Sequence, residues 1–386
     1  MARAPIKTIA IIGAGHGGCA TAAYLTQRGF EIHLYSRSRS TTDPLSAIGG
    51  VEYEGALGNG FARVPLITND AAAALAGADL VLIMVPTHAH EDTACVLAPH
   101  VRPEQLVMAA PGHTLLLIPD TIRKAGGRLG LYCDSSSLPF ICRKSAPQRI
   151  NITRTAQILY FAAFPGKELD VAASMVHAVF PHIEPRPSLL HTVFPYTNAI
   201  HHPPALLLNV GRVESTGGDY CHYYDGITPA VGRLIDALDR ERIAVAAALG
   251  VTIEPLPQFF FRMGYTNAAG RDGATAYHVF HNSEPNRWIK APAAIDHRFF
   301  NEDVPYGLVA ISELGQLAGV PTPGADAVIE IASVVAGRSY RKEGLTRERM
   351  GIAGMTVAEL TKLLATGESF TGSSPGLSAA RSPGTL

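Results

Sequence analysis

Apolar residues in the first half of the chain fall in short unbroken runs, separated by stretches with helical spacing. Thr8–Ile12 and residues 79–85, 106–110 and 129–133 are apolar almost throughout, as strands buried on both faces of a parallel sheet are. Residues 16–28, 71–76 and 115–125 predict helices between them, and Gly29 sits where a helix C-cap glycine belongs. Residues 51–66 alternate around turn glycines at Gly55, Gly58 and Gly60, which predicts a hairpin. Residues 155–164 read as a late strand pair and 171–180 as a helix. Such alternation of strand and helix predicts an α/β fold with a doubly wound parallel sheet.

The alternation stops between Pro181 and Pro187, and a domain boundary is placed there, giving domains of residues 1–185 and 186–365. The second domain reads as mostly α-helical, with helices at 203–210, 230–249, 304–318, 325–336 and 357–365. Residues 366–386 are rich in Ser, Gly and Pro and read as a disordered tail.

Thr8–Ile12 runs directly into Gly13-Ala14-Gly15-His16-Gly17-Gly18, a G-x-G-x-x-G between a predicted strand and a predicted helix. That is the dinucleotide-binding turn of a Rossmann-type domain: Gly13 permits the turn, Gly15 lets a pyrophosphate approach, and Gly18 allows close helix packing. The backbone N–H of His16 opens the helix toward the phosphates. Pro86, after the strand of residues 79–85, is expected on the same crevice. Strand Glu31–Tyr35 ends in Ser36-Arg37-Ser38-Arg39, where a carboxylate would bind an adenosine ribose 2′-hydroxyl. Ser36 with Arg37 and Arg39 leaves room and charge for a 2′-phosphate, so NADPH is the expected cofactor and NADH the alternative.

With 386 residues, 47% of them hydrophobic and 17% charged, the chain can bury more than one core. A net charge of -1 gives no basic surplus for nucleic acid or an acidic membrane surface. Five dispersed cysteines without metal-like spacing read as thiols of a reducing compartment, and no run is long and apolar enough for a membrane span. The expectation is a cytoplasmic protein with small-molecule substrates and no metal, for which a homodimer is compatible. His88 and His90 lack a third ligand at a plausible spacing.

Two segments of the second domain carry candidate chemistry. Residues 198–204 read NAIHHPP, and the prolines after His202 are expected to start a helix and hold the imidazole at its N-terminus. Residues 297–308 read HRFFNEDVPYGL, with a histidine, an arginine and two acids before another helix. His201 is read as structural, and Trp288 and Tyr265 as core or interface aromatics.

Together with the glycine fingerprint, DSSSLPFICR at 134–143 and LGQLAGVPTP at 314–323, these segments resemble the opine dehydrogenases, the octopine and nopaline dehydrogenase family, over roughly residues 7–365. The resemblance implies reductive condensation of an amino acid with a 2-oxo acid, pyruvate or 2-oxoglutarate, through an imine reduced by hydride. It places the catalytic histidine at His202 and the family's arginine and aspartate at Arg298 and Asp303. Where the family commonly has proline after the asparagine, this chain has Ala199. The residue chemistry agrees: histidine exchanges protons near neutral pH, Asp303 on its other nitrogen would fix the tautomer, and Arg298 would grip a substrate carboxylate. Asn198, one turn before His202, is a candidate for hydrogen bonding to substrate or to the nicotinamide amide, with a structural helix cap as the alternative. The alternatives are a hydroxyacid or glycerol-3-phosphate type of dehydrogenase, whose catalytic lysines NAIHHPP lacks, and a non-catalytic NADP-binding sensor on the same fold.

Overall fold

The computed structural model describes residues 5–368. Its strands are β1 (Thr8–Ile12), β2 (Glu31–Tyr35), β3 (Gly50–Gly55), β4 (Gly60–Arg63), β5 (Leu66–Thr68), β6 (Leu80–Ile83), β7 (Leu106–Ala109), β8 (Leu131–Ser135), β9 (Phe140–Ala146), β10 (Arg149–Thr155), β11 (Leu159–Phe164) and β12 (Ile183–Pro185). The main sheet has the order β12-β11-β8-β7-β6-β1-β2-β5. From β5 to β8 neighbouring strands are parallel, while β11 runs antiparallel to β8 and parallel to β12. The last two strands therefore reverse the direction of an otherwise parallel sheet. β1 lies between β2 and β6, so its C-terminal end is the switch point at which a doubly wound sheet opens a crevice.

The unbroken apolar runs have the expected consequence: β1 buries Ala10 and Ile12 in one core and Ile9 and Ile11 in another. Helices His90–Leu97 and Leu117–Lys124 cover the first face. Helix His16–Gln27 covers the second. A separate four-stranded sheet, β4-β3-β10-β9, packs over that helix, combining the anticipated β3/β4 hairpin with a β9/β10 hairpin that the sequence reading missed. In β9 every second residue is exposed, including Ile141 and Arg143, so FICRKSA gives no apolar run to find.

From Leu190 to Thr366 the chain is helical, and its core is continuous with that of the first sheet face. The expected helix start at Pro203 is corrected: the helix spans Asn198–Leu207, with Pro203 and Pro204 inside it. Each proline removes one helical N–H, but Ala199 through Leu207 are all buried, and that packing holds the interrupted helix together. His202 consequently lies within the helix and not at its N-terminus. The single helix expected over 304–318 divides into a wide π-helical turn, Val304–Leu308, and an α-helix, Val309–Ala318. Among the described residues no helix is long and apolar enough to cross a membrane. The expected tail from residue 369 onward lies outside the described residues.

Candidate active site

At the end of β1, Gly13 has φ +116, and a Cβ there would stand 2.6 Å from the Met84 carbonyl oxygen. A Cβ on Gly18 would fall 1.7 Å from the Gly13 carbonyl oxygen, so the helix approaches the turn more closely than any side chain allows. Gly15 faces open space, with nothing within 4 Å of its would-be Cβ. This opening belongs to a cleft of about 280 Å³ lined by Gly13, Gly15, Ser36, Arg37, Ser38, Thr41, Pro86 and His88, among others, and by no carboxylate. Room at Gly15, a helix N-terminus and the absence of acids suit a dinucleotide. The remaining expected contacts divide. His16 turns its imidazole away, where Nδ1 accepts the Lys144 N–H at 2.9 Å. Arg39 is exposed at the start of helix Arg39–Ile48 and is not on the cleft lining. Arg37 is exposed too, with one guanidinium nitrogen 3.5 Å from Asp92.

A second cleft, of about 390 Å³, lies between the sheet and the helical part. Asn198 and Arg298 line it, as do His113, Tyr196, Tyr265 and Glu302. Its apolar wall includes Leu138, Ile158, Phe259 and Met263. Tyr265 thus reaches the cleft, whereas Trp288 is 69% exposed.

His202 is buried and does not line this cleft. Its Nδ1 lies 2.7 Å from Asp303 Oδ2, and its Nε2 lies 2.7 Å from the Tyr223 hydroxyl. Tyr196 donates its hydroxyl to the other oxygen of Asp303. A hydrogen-bonded row Tyr196, Asp303, His202, Tyr223 therefore begins at the cleft and ends in the helical core. Phe299 stacks on the His202 ring at 3.9 Å, and His201 packs edge-on at 4.5 Å, fitting the structural reading of His201. Burial, with the nearby Arg298 charge, pushes the imidazole of His202 well below its ordinary value. Burial pushes the Asp303 carboxyl up to about 8, against the pull of Arg298 and the Tyr196 hydroxyl. Both shifts disfavour charge, so the pair retains one proton between Nδ1 and Oδ2.

Arg298, half-exposed, holds Glu302 Oε2 through Nε and one terminal nitrogen, both at 3.0 Å. Glu302 Oε1 accepts the backbone N–H and hydroxyl of Thr87, at 3.2 and 2.9 Å, joining the helical part to the loop after β6. Burial raises the Glu302 carboxyl, but Arg298 and Thr87 outweigh it and hold the group below its usual range.

The sequence reading missed Tyr196, Tyr223, His113, Glu302 and Thr87. Glu302 was signalled by its i,i+4 spacing from Arg298 and His113 by its place just beyond an apolar strand. Tyr223 carried no signal, since it reaches His202 from 21 residues away. His88 lines the nucleotide cleft, while His90 is buried with Nδ1 3.0 Å from Thr114 Oγ1. No metal-holding group of His, Cys, Asp or Glu occurs among the described residues.

Comparison with known proteins covers both halves. Residues 185–336 match the profile described as NAD/NADP octopine/nopaline dehydrogenase, alpha-helical domain, and residues 8–113 match NAD-dependent glycerol-3-phosphate dehydrogenase N-terminus. The chain is 33% identical over 354 residues to an opine dehydrogenase of Arthrobacter sp. (strain 1C), covering 91% of this chain and 97% of that protein. A solved octopine dehydrogenase with NADH and pyruvate superposes with a TM-score of 0.74 at 20% identity, over 93% of this chain and 98% of that one. A yersinopine dehydrogenase with bound NADP+ gives 0.71 at 16% identity, over 95% and 99%.

Proposed function

Because the chain belongs to the opine dehydrogenase family, NAD(P)-dependent oxidoreductases acting on CH–NH bonds, we propose that it joins an amino acid to pyruvate or 2-oxoglutarate and reduces the resulting imine, with NADPH preferred. The observation that carries this reading is the hydrogen-bonded row from the cleft-lining Tyr196 through Asp303 to His202, beside Arg298 on the same cleft.

Condensation needs an amine that has lost its proton and a carbonyl oxygen that leaves as water. Both steps need a group that can accept and return a proton without strong charge build-up. His202 and Asp303 serve as that store, and Tyr196 links it to the cleft. Glu302 fixes one edge of the Arg298 guanidinium, leaving the outer edge for a substrate carboxylate in a two-point grip. Asn198 adds a hydrogen bond to substrate from the start of its helix. Bound along Gly13 and Gly15, the dinucleotide would supply the hydride. Ser36 and Arg37, with no acid on the cleft lining, favour its 2′-phosphorylated form.

The test is a rate assay with NADPH and then NADH, each with the oxo acid alone, the amino acid alone, and both. We expect rapid oxidation only with both substrates and a higher kcat/KM for NADPH. Oxidation with the oxo acid alone identifies a hydroxyacid dehydrogenase instead, and equal or better use of NADH removes the cofactor preference.

A further inference from the structure

The turn after β7 places His113 on the cleft that Arg298 lines, and the residue is only 1% exposed. Neither ring nitrogen has a hydrogen-bond partner, although buried polar groups in folded proteins are almost always paired. The ring is nevertheless firmly placed. It stacks on Tyr196, with centroids 3.7 Å apart and planes 13° from parallel. The preceding Gly112 donates its N–H to the Ser135 carbonyl at 2.7 Å, and a Cβ on Gly112 would come within 2.0 Å of the Asp134 side chain. Leu115, two residues on, adopts φ +53, a left-handed conformation that leucine rarely takes. A constrained turn thus holds a buried, unpaired imidazole against a cleft that also contains Arg298.

We propose that His113 donates a hydrogen bond to the keto oxygen of the 2-oxo acid while Arg298 holds that acid's carboxylate. This rests on the reductive-condensation reading above. The amine nitrogen uses its lone pair to form the C–N bond at the keto carbon, and the C=O π pair moves onto oxygen, where the His113 N–H stabilises it. The amine's proton passes to the row beginning at Tyr196. The row returns that proton to the oxygen, the nitrogen's second proton follows by the same route, and the oxygen departs as water as the C–O bond breaks, leaving the imine for reduction. His113 keeps its own proton throughout. Burial drives its imidazole down to about 3, so the ring is neutral at working pH and offers one N–H donor and no fixed charge.

Two substitutions separate donation from packing. His113→Phe keeps the stack on Tyr196 but removes the donor, and His113→Gln keeps a donor but removes the stack. We expect His113→Phe to lose about 10²-fold or more in kcat/KM for the oxo acid, the scale for one oxyanion donor. We expect His113→Gln to stay within about tenfold of wild type on that scale. NADPH affinity and Tm should change little in either protein. The reverse order, with Phe near wild type and Gln impaired, would assign His113 a packing role and overturn the proposal. If wild type itself does not require both substrates for NADPH oxidation, the underlying reading fails together with the role of His113.

Discussion

The proton between His202 Nδ1 and Asp303 Oδ2, 2.7 Å apart, has two places to sit and almost no water around either. Burial drives the acid up and the imidazole down, so the uncharged pair with one shared proton is favoured, and the adjoining Tyr196 hydroxyl connects the pair to the cleft. The role proposed for His202 is therefore proton storage, separate from binding the dinucleotide. His202→Ala is predicted to lower turnover by about 10²-fold or more while leaving NADPH affinity unchanged. A near-normal kcat in that variant would move the proton chemistry elsewhere. His202, Asp303 and Arg298 were legible because they sit in two distinctive segments. Tyr223 and Tyr196 were not, because a phenol next to a buried pair is a product of tertiary packing and leaves no local spacing to read.

At the scale of elements, the nucleotide turn divides its glycines into two jobs. A methyl on Gly18 collides with the Gly13 carbonyl oxygen, while a methyl on Gly15 meets only open space. Gly18→Ala should thus lower Tm, as helix His16–Gln27 is forced off β1. Gly15→Ala should keep wild-type Tm but weaken NADPH binding at least about tenfold, because its methyl enters the space left for phosphate. Equal Tm losses in both, or unchanged NADPH affinity in Gly15→Ala, would refute this division. The turn could be read from sequence since glycine spacing is itself the mechanism. Helix Asn198–Leu207 could not be delimited, because burial of Ala199 through Leu207 overrides the stop signal of two prolines. The β9/β10 hairpin escaped for the opposite reason: its exposed alternate positions dilute the apolar signal.

Across the whole molecule, the helical part and the sheet share a core on one face, and Glu302 ties segment 297–308 to Thr87 just beyond β6. Arg349 adds a second tie, 2.7 Å from Glu91. The cleft at the glycine turn and the cleft at Arg298 are built on neighbouring strand ends, β6, β1 and β2 for one, β7 and β8 for the other. That arrangement suits hydride delivery to a carbon held by Arg298. The alternation of strands and helices made the layered fold legible, but the reversal of β11 and β12 depends on where the chain turns back after the second sheet, which periodicity does not encode. The most direct measurement is the mass of the product formed from pyruvate, an amino acid and NADPH carrying deuterium at its transferable position. Reductive condensation predicts a secondary amine joining both carbon skeletons, with one deuterium on the carbon of the new C–N bond. Deuterated 2-hydroxy acid with the amino acid recovered unchanged would contradict it.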